Sequence, residues 1–381
     1  MPRLPAALRL LPFVATLALL ACQAPPTAPA AAAGQQAGAA LLRQDAIKGA
    51  YEVAYQASAG SVFVASAPSF DKAAPGYLYR LDARDLSPRQ TIQLQRRAFA
   101  LGLNRTTNTL YVGNTLDGSL TVVDAASGIA TRTIQLGQAE KDKDGQESMP
   151  HTRKVIVDEA RNRIFVTSPG SQGKVWIIDG ASGTVTHQLS GTGRWSAGAV
   201  YDAASNRLYV SQGGVDEVLV IDPDAGQIVR RLSTGDTTNA DDSKHFLINI
   251  ALDAKTQRLF TTDSSTNQLY VWDIASGKVL HKVALGLGAL EVAFNPQRNE
   301  IYTTHRGVSR SQPEGSGGVT VIDATSYAVK RVLDLPVHPN SLALTPDGQT
   351  LYVTVKAPHG DKHPAFRKEA LDSVVRIDLR G

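Results

Sequence analysis

The chain has 381 residues, of which 43% are hydrophobic, 19% charged and 6% aromatic, with a single Cys. That content excludes a disordered chain and a small disulfide scaffold, and one cysteine leaves neither a disulfide nor a thiolate metal cluster. The formal charge of +4 falls to +2 once Arg3 and Arg9 leave with a leader, so only the distribution of charge can speak for or against nucleic acid.

Residues 1–22 read as a lipoprotein signal peptide. Arg3 and Arg9 precede an apolar run over residues 10–21, too short to span a bilayer as a helix. The run closes on Leu19-Leu20-Ala21-Cys22, which resembles a bacterial lipobox, and Cys22 is then the lipidated first residue of the mature chain. Gln23 follows, rather than the Asp that retains such proteins in the inner membrane. That resemblance implies the periplasmic side of the outer membrane, with a soluble periplasmic protein as the alternative. Residues 23–40 are rich in Ala and Pro and carry no charge; they read as a tether reaching roughly 25 Å.

Residues 41–381 are a repeat. A short strand with an aromatic centre recurs at Phe63, Tyr111, Phe165, Tyr209, Phe260, Tyr302 and Tyr352, at spacings of 42 to 54 residues. Each is followed by a second strand ending in Asp (Asp82, Asp124, Asp179, Asp222, Asp273, Asp323 and Asp378), and most of these Asp open a tight turn such as DAASG. A stretch rich in small residues precedes each aromatic strand, and one more strand follows the turn. Four short strands per repeat predict an all-β, seven-bladed β-propeller. The last repeat ends after its third strand, so residues 41–48 are expected to supply the fourth and close the ring.

The repeated tyrosine-bearing strand resembles the YVTN family of β-propeller repeat proteins. Stretches such as KGAYE (48–52), HFLINI (245–250), FNPQRNE (294–300), THR (304–306) and HPNSLAL (338–344) are similar to its periplasmic, YncE-like branch. The resemblance covers the chain from residue 41 onward. It implies a seven-bladed periplasmic propeller that binds single-stranded DNA and has no known enzymatic activity. The loops 308–318 and 357–372 depart from the family pattern.

In a propeller, the connections between blades and the turns between second and third strands emerge on one face. Arg97, Arg153, Arg194, Trp195, His245, Phe246, His305, Arg306, His338 and Lys356 fall there and are the candidate nucleic-acid-binding residues. Arginines would follow an anionic backbone while Trp195 and Phe246 stack on bases. The turn Asp residues fall on the opposite face. Trp176 and Trp272 lie in third strands and read as core. The expected partner is single-stranded DNA or a related polyanion, bound by a non-enzymatic monomer that needs no cofactor. The membrane is met only through the lipid.

Two other readings compete. One is a scaffold that docks an envelope protein on a broad face. The other is a lyase or lactonase, in which Glu52, Glu291 and Asn340 near the channel mouth are part of a calcium site; that constellation is incomplete, and no compact metal spacing or nucleophile motif accompanies it. His359 and His363, four apart in a loop, form no such site on their own.

Overall fold

The computed structural model describes residues 40–380, except 70, 72, 142–144, 171, 238, 239 and 359. Cys22, the leader, His359 and all of the tether but its last residue lie outside the described residues. β-branched and aromatic runs bounded by Asp- and Gly-bearing turns form seven four-stranded antiparallel sheets among the described residues. The first strands of the sheets (Ala50–Gln56, Ala98–Asn104, Lys154–Asp158, Ser196–Asp202, Leu247–Asp253, Ala289–Asn295 and Pro339–Leu344) neighbour one another in a ring, so the sheets stand as blades 1 to 7. Six blades use four strands consecutive in the chain. Blade 7 is Pro339–Leu344, Thr350–Val355 and Asp372–Asp378, with Leu41–Ile47 from the other end of the chain outermost. That strand runs antiparallel, with Leu41 opposite Ile377 and Ile47 opposite Asp372. Blades 7 and 1 are also joined by the Ala50 N–H, which donates to Asp372 Oδ2 at 2.7 Å, and by the Tyr352 hydroxyl, which donates to the Ala83 carbonyl at 2.7 Å.

The seven aromatic residues of the second strands are all buried. Each fills the space between its own blade and a neighbour, as Phe63 does beside Leu101 and Leu110, and Tyr111 beside Ile164 and Trp176. Burying one such side chain contributes about 1.5–3 kcal/mol, which explains why an aromatic recurs once per blade. Trp176 and Trp272 are fully buried, with their indole N–H groups donating to Gln188 and Thr261.

Turn chemistry accounts for the acidic face. Asp124, Asp179, Asp273 and Asp323 each accept the backbone N–H and the hydroxyl of a serine three residues on. These bonds hold the four carboxyls below the usual carboxylate range. In the DAASG turn Gly128 closes the loop with φ of 77°, a conformation that disfavours a side chain.

Candidate functional site: the channel mouth

Six of the seven inner strands carry a register shift near their first residues, as between Ala50 and Val53, Ala98 and Ala100, Ala289 and Val292, and Pro339 and Leu342. Such a bulge breaks the ladder and re-aims side chains. The displaced N–H groups find hydroxyls on the second strands: Gly198 donates to Ser211 at 3.0 Å, Glu291 to Thr304 at 2.9 Å and Ser341 to Thr354 at 3.0 Å. Tyr51, Glu52, Phe99, Leu290, Glu291 and Asn340 occupy these bulges, so the mouth is built from irregular residues on rigid strands.

Across the channel runs a buried ion cluster. Lys154 Nζ lies 3.0 Å from Glu52 Oε1 and 3.2 Å from Glu291 Oε2, joining blades 3, 1 and 6. Glu52 Oε2 also accepts the Leu101 N–H at 2.9 Å, and Arg153 stands 3.7 Å from Glu52 Oε1. Burial works against charge on Lys154, but Glu291 and Glu52 outweigh it and hold the ammonium above the ordinary lysine range. An internal cation therefore stands between the two carboxylates of the calcium reading, while Asn340 Nδ2 turns to the Tyr51 carbonyl at 3.4 Å. The described residues contain no cluster of three or more His, Cys, Asp or Glu suited to a metal.

Above this cluster sits a cation–aromatic layer. Lys356 Nζ lies 3.9 Å from the Tyr51 ring centre, Tyr51 packs 4.3 Å from Phe99, and the Arg153 guanidinium lies 5.6 Å from Phe99. His151 meets Phe99 edge-on at 4.8 Å; burial, and then Arg153, push its pKa down to about 3, so it is neutral. Lys356 donates to the Ala50 carbonyl at 2.6 Å. Burial lowers its pKa, with Asp372 opposing and Arg306 adding to the effect. Arg306 is exposed yet stands in a recess: the protein around it, and then Arg153, hold its guanidinium below the usual arginine range.

The structure divides the expected binding residues into two groups. Arg153, Arg306 and Lys356 come together at the mouth, whereas Arg97 is only 5% exposed and donates to the Leu116 carbonyl. Arg194 pairs with Asp241. Trp195 and Phe246 pack against each other at 5.7 Å, with Trp195 38% exposed. His305 is buried and its Nδ1 has no hydrogen-bond partner among the described residues; burial lowers its pKa. His338 lines a cleft of about 410 Å³ with Arg306, Arg310, Pro313, Lys362 and His363, between the loops of blades 6 and 7. Arg310 and Lys362 come from the two loops that depart from the family pattern, and that departure was the signal that could have singled them out.

His245 is a structural residue. Its Nδ1 lies 2.6 Å from Asp263 and its Nε2 2.8 Å from Asp236, with the ring 3% exposed. The Asp263 bond raises the histidine pKa, burial opposes it, and Asp236 adds to the rise. Its contribution to stability is whole below the unfolded value of about 6.5 and is lost as pH rises through the raised folded value. A His245→Gln variant is therefore expected to lag the wild type in melting temperature more at about pH 6 than at about pH 9. An equal lag at both contradicts the doubly paired imidazolium.

Known proteins place this architecture in a lineage. A protein of Escherichia coli K12 described as uncharacterized protein YncE is 36% identical over 344 residues, covering 90% of this chain and 92% of its own length. The YncE protein of Salmonella typhimurium is 34% identical over 339 residues, covering 89% of this chain and 91% of its own. The chain belongs to the YncE family. Antigen Lp49 of Leptospira interrogans is more distant, 22% identical over 253 residues that cover half of that protein. No protein-family model matches the chain. In this YncE-family propeller, the stretches 48–52, 245–250 and 338–344 open inner strands at the mouth. The resemblance is thus carried by the bulged positions as well as by the repeated core.

Proposed function

We propose that this YncE-family chain is a non-enzymatic binding protein that takes a flexible polyanion, in the first place single-stranded DNA, at the channel mouth beside blades 6 and 7. One observation carries the reading. Arg306, Arg310 and Lys362 line one cleft, and none of the three has a carboxylate partner within ion-pair reach among the described residues, although Asp361 shares its wall. Elsewhere on this face, Arg153 and Arg194 already face Glu52 and Asp241. Unpaired cations in a recess attract phosphates and release counterions. A recess also favours a single strand, which can bend into it, over a stiff duplex. A lipid on Cys22 would keep the chain at the envelope.

The test is fluorescence anisotropy with a labelled single-stranded oligonucleotide over a salt series. An Arg306→Ala, Arg310→Ala double variant should bind at least about tenfold more weakly and flatten the slope of log affinity against log salt by about 1.4. Lys255→Ala, an exposed lysine in a turn between first and second strands, should leave binding unchanged.

A further inference from the structure

A second cleft, of about 690 Å³, lies over blade 3 on the same face. Its walls are Trp195, the connection that brings Met149 and Pro150, and the loop carrying Pro169 and Gln172. Three features set it apart from the cleft of blades 6 and 7.

The first is the indole. Trp195 packs on Phe246, and its backbone pairs with Pro169 in an isolated β-bridge, so the ring is held in place while 38% of the residue stays exposed. Its Nε1–H has no hydrogen-bond partner among the described residues. The second is uncharged polarity. Gln188 accepts the buried Trp176 N–H at 2.9 Å through Oε1, which fixes the amide; its Nε2 donates one hydrogen to Ser190 Oγ at 3.4 Å and keeps the second for a ligand. The exposed Gln172 amide has no partner among the described residues, and Ser148 and Ser190 add hydroxyls. The third is electrical neutrality. Lys174 pairs with Glu140, Lys141 lies 3.9 Å from Glu147, and His151 is neutral.

An apolar aromatic face ringed by amides and hydroxyls, with no spare charge among the described residues, matches a molecule having C–H bonds on one face and hydroxyls around its edge. We propose that this cleft binds a neutral oligosaccharide, with one sugar ring stacked on Trp195 and its hydroxyls bonded to Gln172 and Gln188. A nucleotide fits less well here, because its phosphate would find no unpaired cation among the described residues of the wall and would have to be desolvated without compensation. The proposal does not rest on polyanion binding beside blades 6 and 7.

The experiment titrates the purified full chain with a chito-, a cello- and a malto-oligosaccharide, read by calorimetry and tryptophan fluorescence. At least one sugar should bind, with less than about a twofold change between low and physiological salt. Trp195→Ala should weaken that binding by at least about tenfold. Trp195→Phe should restore part of it, and Gln172→Ala should weaken it several-fold. Arg310→Ala should leave it unchanged, which separates this site from the polyanion site. Thermal melts of each variant verify that the propeller is intact. The proposal is overturned if none of the three sugars binds folded wild type, or if binding survives Trp195→Ala. It is equally overturned if an oligothymidylate, and no sugar, loses affinity on that substitution, since Trp195 would then be a nucleobase platform.

Discussion

Replacing Lys154 by Met should lower the unfolding free energy by about 3–5 kcal/mol, the loss expected when a buried ion group keeps its charges but loses its counterion. Glu52 and Glu291 are each buried, and the Lys154 ammonium is 3.0 and 3.2 Å from their oxygens. Without it, two buried carboxylates from blades 1 and 6 stand near one another at the channel, and among the described residues Arg153, 3.7 Å from Glu52, is the ion partner left to offset them. The deficit should shrink in acid, where the orphaned carboxylates take up protons. Adding Glu52→Gln and Glu291→Gln to Lys154→Met should recover most of the loss, because the amides remove the stranded charge. Denaturant melts of the single and triple variants measure both. A single variant within about 1 kcal/mol of wild type would mean that the cluster contributes no more than an exposed pair.

Removing residues 23–49 should cost at least about 4 kcal/mol, while removing only residues 23–39 should leave the melting curve unchanged. Leu41–Ile47 supplies the outermost strand of blade 7, and Ile47 is fully buried in the cluster that holds Val53, Tyr352 and Val374. Losing that side chain forfeits about 1.5–3 kcal/mol, and each unmade ladder bond adds about 1 kcal/mol. The edge of Asp372–Asp378 would then be free to pair with other chains. The melting temperatures of the two truncated proteins, both made without residues 1–22, give the comparison. Equal values would mean that the ring holds without the strand.

How much of this was legible beforehand depends on how local the physics is. The seven aromatic strands were readable because the need to fill each interblade space recurs at every repeat. The Asp turns were readable because a carboxylate bonding its neighbours' N–H groups is a matter of three or four residues. Residues 41–48 were legible as the closing strand because the last repeat lacks a fourth one, but not which side chain anchors it: Leu41 and Leu42 are 49% and 38% exposed, and Ile47 makes the packing. Face assignment placed the cations together but could not rank them. Arg97 and Arg306 both lie on mouth-side connections, yet Arg97 is buried against the Leu116 carbonyl and Arg306 opens into a recess, a difference set by tertiary packing that the repeat pattern does not report. Lys154 was passed over entirely. Its partners come from blades 1 and 6, at sequence separations of 102 and 137 residues, and no repeat pattern reports who stands opposite whom across a ring. The inner-strand bulges were hidden for a similar reason, since a bulge is defined by the partner strand.

The charge-led mouth is tested most directly by the salt dependence of single-stranded DNA binding to wild type and to the Arg306→Ala, Arg310→Ala variant. Polyanion recognition beside blades 6 and 7 predicts a steep fall of wild-type affinity with salt, a shallower line for the variant, and weaker binding of duplex than of single strand. Parallel lines of equal affinity for the two proteins, or duplex and single strand bound alike, would contradict it and bring forward an envelope protein partner docked on the same face.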